Sequence, residues 1–145
     1  MIDIVTLSFI IILPLLFWSW RLAALHRNFA RHRNVQVALC VSLAAVVGLF
    51  EYDLAQSGGI FALVAGSAWE DTWLLNGTIY VHTMLAVLAS IVWVGLILVS
   101  LFRFSNPPEP NSFSRKHRFF GRLGMLTMTG AAVTALPLYY FGFVA

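Results

Sequence analysis

From Thr78 to Phe102 the chain runs for 25 residues without an Asp, Glu, Lys or Arg. A run of that length and character is long enough to cross the hydrocarbon core of a bilayer as a tilted helix. It leaves few alternatives, because only helices and closed barrels satisfy their backbone hydrogen bonds inside lipid. One titratable residue, His82, lies inside it, about a turn from its start. A histidine at that depth is costly in lipid, so it is expected to face other protein and to have a partner there.

The rest of the chain supplies further spans. Hydrophobic residues make up 60% of the sequence and charged residues 10%, with a mean hydropathy of +0.85, well outside the soluble range. The first apolar run, about 4–22, contains Pro14 and ends in Trp18 and Trp20 beside Arg21, an interfacial belt. It has no small-residue cleavage site after it and reads as retained. A second span, about 35–55, ends in FEYDLA, and a fourth, about 119–143, follows the proline-rich break FSNPPEPNSFS. Residues 56–77 form a loop whose apolar island, IFALVAGSAW, is too short to cross and is expected to lie at the interface, on the bundle. The fold class is therefore all-α: one domain, an integral membrane bundle of four transmembrane helices.

Charge orients this bundle. All nine Lys and Arg lie in or beside the loops joining spans one–two and three–four, whereas five of the six acids, Asp3, Glu51, Asp53, Glu70 and Asp71, lie at the opposite ends. The positive-inside rule places both basic loops in the cytoplasm and both termini on the outer face. Such clustering also accounts for the basic isoelectric point through topology and anionic lipid, with no nucleic acid partner. A single cysteine, Cys40, excludes an internal disulfide framework and a Cys-based cluster.

Projected at 100° per residue, Thr78, His82, Ala86, Ala89, Trp93 and Ser100 share one stripe of the third span. Gln36, Cys40, Ala44, Val47 and Glu51 share one on the second, and His117, Gly121, Gly124, Met128, Ala131 and Ala135 one on the fourth, with Tyr139 close by. Small and weakly polar stripes mark helix-facing sides in a membrane. The first span shows none and is expected at the periphery of a packed trio. Cys40 and Met128 read as packing, and the Gly121–Gly124 pair as close helix contact.

Two polar layers follow. Towards the basic loops, His32 and His117 are level, with His26 a turn and a half earlier. Histidines on facing helices are a usual way for a bundle to hold a haem iron or a transition metal. Flanking Arg31, Arg33, Arg115, Lys116 and Arg118 would suit haem propionates or lipid phosphates. The alternative is that these histidines lie at headgroup level within basic loops. Towards the acidic ends, Glu51 and His82 are expected to face each other. They would form either a structural or proton-linked pair, or a metal site that Tyr80, Asp53, water or another subunit would have to complete. No Walker loop, serine nucleophile motif or HExxH is present, and nothing demands an enzyme.

The segments RHRNVQVALCVSL, TIYVHTMLAVLASIVW and SRKHRFFGRLGMLTMTGAAVTALPLYYFGFVA, in that order, resemble the CtaM/YozB-like family of small four-helix bacterial membrane proteins. That family includes an assembly factor for haem-copper cytochrome oxidases. The resemblance covers roughly residues 31–145 and leaves the first span outside. Carried over by position, the family's histidines fall on His32, His82 and His117. Where members of the family carry a further histidine at the outer end of the second span, this chain reads FEYD, with Glu51 and Asp53. The resemblance implies a non-catalytic protein of the bacterial inner membrane, assembly factor or accessory subunit of a respiratory oxidase, with other membrane subunits of that complex as partners and haem or copper as its cargo. Two alternatives stand beside it: a haem- or metal-binding redox protein in its own right, and a structural subunit of a larger membrane complex.

Overall fold

The computed structural model describes residues 2–145. Four long helices carry the fold: α1 (Ile2–Ala24), α2 (Phe29–Gln56), α4 (Trp73–Arg103) and α5 (Ser114–Tyr139), with a short α3 (Ile60–Leu63) between the second and third. A π-helical turn, Tyr140–Val144, continues α5. Each long helix, α5 taken with that turn, is apolar and long enough to cross a membrane. At 1.5 Å per residue the 31 residues of α4 extend about 46 Å, against roughly 30 Å of hydrocarbon. The expected spans thus lie inside longer helices whose ends stand in the headgroup layers. At the basic end α2 begins at Phe29 and α5 at Ser114, so both His32 and His117 are helical. The Asn28 side chain caps α2 by accepting a bond from Arg31 N at 3.1 Å, and Thr72 caps α4 by accepting one from Leu75 N at 3.3 Å. Each satisfies an amide that the helix itself leaves free.

The helices form a ring in which α1 packs on α2 and on α5, α5 packs most extensively on α4, and α4 touches α2 only sparingly. One apolar cluster joins all four: Ile12 and Leu16 of α1, Leu39 and Leu43 of α2, Ala89 and Trp93 of α4, and Met128 of α5. The α4–α5 seam follows the small-residue stripe of α5, where Gly124, Met128, Ala131 and Ala135 are buried. A Cβ on Gly130 would come within 3.2 Å of Leu85 Cδ1, so glycine there sets how closely the two helices approach.

Two expectations about faces are corrected. The first span is not peripheral: Ile12, Leu16, Ser19 and Leu22 form a buried stripe on α1. Bulky apolar residues on every side of that helix hide the stripe, since leucine serves lipid and core alike. The inward face of α2 is also turned by about one residue. Leu39 and Leu43 are buried, while Ala44 and Glu51 are exposed. Leucines here interdigitate with Ile12 and Leu16 of α1, and that larger apolar contact outweighs the small-residue preference.

The loop between α2 and α4 closes the acidic end. Val64, just past α3, is buried with Leu75 and Ile79, against Ile60, Trp69, Leu138, Phe141 and Phe143. Residues 60–69 therefore pack on the bundle end.

Candidate functional site: a histidine layer at the basic end

Polar side chains from all four long helices meet one layer below the basic loops. Ser19 of α1 is 0% exposed, and a hydroxyl sealed in an apolar bundle must be hydrogen-bonded. Gln36 Nε2 of α2 donates to Ser19 Oγ at 3.1 Å, and Trp93 Nε1 of α4 donates to Gln36 Oε1 at 2.7 Å. His32 Nδ1 lies 2.9 Å from the Ser19 carbonyl oxygen and 2.9 Å from Ser19 Oγ. A carbonyl only accepts, so Nδ1 carries the proton and Nε2 of neutral His32 keeps its lone pair, with no hydrogen-bond partner among the described residues.

His117 of α5 is level with His32, as expected. Their ring centroids are 6.2 Å apart and the rings nearly perpendicular, at 86°. His117 Nδ1 is 2.9 Å from Ser100 Oγ of α4, and Phe104 stands edge-on to the ring at 5.3 Å. Every buried side-chain nitrogen and oxygen among the described residues has a partner. Both imidazoles are thus held at Nδ1, which fixes ring orientation as outer hydrogen-bond partners do for metal-ligating histidines.

Basic residues surround this pair without occupying it. Arg31 lies over the Trp18 ring, 5.0 Å from its centroid. Arg33 donates from both terminal nitrogens to Asn106 Oδ1 at 3.2 Å, tying α2 to the α4–α5 loop. Arg115, Lys116 and Arg118 are exposed on the first turns of α5. These cations are available to lipid phosphate or another anion at the surface. His26 is exposed in the α1–α2 connection.

At the acidic end His82 has a different partner from the one expected. Its Nδ1 lies 3.0 Å from the Ala131 carbonyl oxygen and 3.2 Å from Thr134 Oγ1, both on α5. Among the described residues no hydrogen bond or ion pair joins it to Glu51, which is exposed, as are Tyr52 and Tyr80. The turned face of α2 accounts for this. Phe50, one residue before Glu51, is the α2 side chain that lines the cleft beside His82, and Glu51 is carried about 100° round the helix from it. The expected hydrogen-bonded partnership with Glu51 is thus replaced by one with α5.

The residues that reading by stripes missed are Ser19 and Thr134. Ser19 had a signal, since it is a hydroxyl flanked by Trp18 and Trp20, well apart from Thr6 and Ser8 near the start of the same run. Gln36, Trp93 and Ser100 were on the expected inward stripes.

Two imidazoles whose centroids are about 6 Å apart would reach one ion at metal–nitrogen distances of about 2 Å only with their Nε2 atoms directed at each other, and they supply at most a partial ligand set. Among the described residues no group of three or more His, Cys, Asp or Glu side chains is placed to hold a metal, so a closed four-ligand structural site does not fit.

Four apolar helices of spanning length, with a common core, define a multi-pass α-helical membrane protein. Comparison with protein-family models, curated proteins and solved structures finds no match.

Proposed function

We propose that this chain is a non-catalytic protein of the bacterial inner membrane that serves a respiratory haem-copper oxidase, as an assembly factor or accessory subunit handling haem or copper. The observation that carries this reading is the His32–His117 pair. Two helices that lie in the resembling segments each present an imidazole to the same layer, each held at Nδ1. Imidazole suits copper and iron. An incomplete ligand set favours transient holding and release over permanent retention, because the positions left open are those a receiving protein would fill. Surrounding arginines and lysine would offset the charge of an anionic group such as a propionate. The charge asymmetry supports an orientation with both termini and the acidic ends outside and the histidine layer near the cytoplasmic face.

A clean deletion of the gene is expected to lower the amount of assembled, haem-loaded oxidase in membranes, read by reduced-minus-oxidised spectra. Normal oxidase spectra in the deletion would remove this reading. A second reading, a haem- or metal-binding redox protein in its own right, draws on the same pair. It requires purified protein to carry a Soret band or stoichiometric metal, whereas a carrier is expected to hold sub-stoichiometric metal that a chelator removes.

A further inference from the structure

We infer that the cleft beside His82 binds a lipid-soluble phenol or quinol, an aromatic ring bearing a hydroxyl and an apolar tail. This reading concerns the acidic end of the bundle and does not depend on the histidine layer at the other.

The cleft opens between α1 and α5 and is lined by, among others, Thr6, Phe9, Phe50, His82, Tyr139 and Phe143. Rings make up about half of its walls, beside aliphatic side chains, and Phe9 stands perpendicular to the His82 ring at 6.5 Å, so a ring seated at the mouth of the cleft meets aromatic neighbours edge-on or offset. His82 supplies the polar specificity. Its Nδ1 is committed to the Ala131 carbonyl, which only accepts, so neutral His82 carries its proton there and keeps an acceptor lone pair on Nε2. Nε2 has no hydrogen-bond partner among the described residues and is not sealed from its surroundings. The site thus asks for an O–H donor. The Thr6 hydroxyl, likewise without a side-chain hydrogen bond among the described residues, can donate to a second ring oxygen. Tyr139 is already engaged, donating to Asp3 Oδ1 at 2.6 Å.

A second groove continues the first. It shares Thr6, Phe9 and Ala135 and runs on past Leu13, Ala132 and Leu136 along the α1–α5 seam. Apart from Thr6 its walls are apolar, which suits a hydrocarbon tail. Depth agrees as well. His82 is about 14 Å along α4 from Trp73, which puts it roughly 5 Å inside the hydrocarbon boundary when α4 is centred in the bilayer. An amphiphile with a small hydroxylated head can place that head there.

The test uses full-length protein in phosphatidylcholine nanodiscs with decylubiquinol as probe, and decylubiquinone and 1-decanol as contrasts. Binding is read by equilibrium partition against empty nanodiscs. The quinol is expected to bind saturably, about tenfold more tightly than the quinone, which has no O–H to donate to Nε2. Decanol, with a hydroxyl and tail but no ring, is expected not to displace it at equal concentration. In His82→Phe, with helicity and melting checked, quinol affinity is expected to fall about tenfold, to the level of the quinone. Equal affinity for quinol and quinone, displacement by decanol, or partition no greater than into empty nanodiscs would each overturn the assignment. The comparison of oxidation states on the unaltered protein decides the matter even if His82→Phe fails to fold.

Discussion

At the scale of single residues, Ser19 is the hub of the histidine layer. It is buried completely, its hydroxyl accepts from Gln36, and its carbonyl holds His32. Ser19→Ala removes the hydroxyl but not the carbonyl. It leaves Gln36 Nε2 without its acceptor, at an expected cost of about 1–2 kcal/mol, read as a lower midpoint of thermal unfolding in detergent. An unchanged midpoint would mean that Gln36 finds another acceptor. The neighbouring pair is testable by a double-mutant cycle. Trp93→Phe and Gln36→Leu remove the two ends of the 2.7 Å bond, and the coupling between them is expected at roughly 0.5–3 kcal/mol. Additive losses would contradict a direct contact. His82 was the most legible of these residues, because a titratable group inside an apolar run demands a partner. What the partner would be was not legible. The partner of His82 proved to be a backbone carbonyl, a group that helices offer at every turn, together with the Thr134 hydroxyl.

At the scale of elements, the seam between α4 and α5 depends on small residues, and a side chain added there has little room. Gly130→Val brings its Cβ to 3.2 Å from Leu85 Cδ1 and adds two further methyl groups beyond it. The expected cost is about 1–3 kcal/mol, measurable as easier unfolding in a denaturing detergent titration. Gly48→Val on α2 serves as control, since a Cβ there meets nothing within 4 Å. Equal losses in both would show that packing at the seam is not the cause. Stripes on α4 and α5 were legible in the sequence because their small and polar residues recur at helical spacing. On α2 the same rule misplaced the inward face by about one residue, since Leu39 and Leu43 bury more apolar surface against α1 than Cys40 and Ala44 would. On α1, bulky apolar residues on every side hid the core stripe, of which Ser19 is the one polar member.

For the whole molecule, segregated charge and four long apolar runs make the four-helix architecture legible in the amino-acid sequence alone. The ring order of the helices is not legible there, because it rests on side-chain fit between α1 and its two neighbours. Orientation is the next test at this scale. With Cys40 replaced by Ser, single cysteines at Ser67 and Asn111 are expected to label from outside and only after permeabilisation, respectively, with a membrane-impermeant maleimide. The reverse pattern would place the histidine layer outside.

The proposed service of the His32–His117 layer to a haem-copper oxidase is tested most directly by complementation. Oxidase haem per milligram of membrane protein is measured spectrally in a deletion strain carrying wild-type protein or the His32→Ala/His117→Ala variant at matched membrane levels. Wild-type protein is expected to restore the oxidase and the double variant to leave it severalfold lower. Full restoration by the double variant would contradict the proposed role.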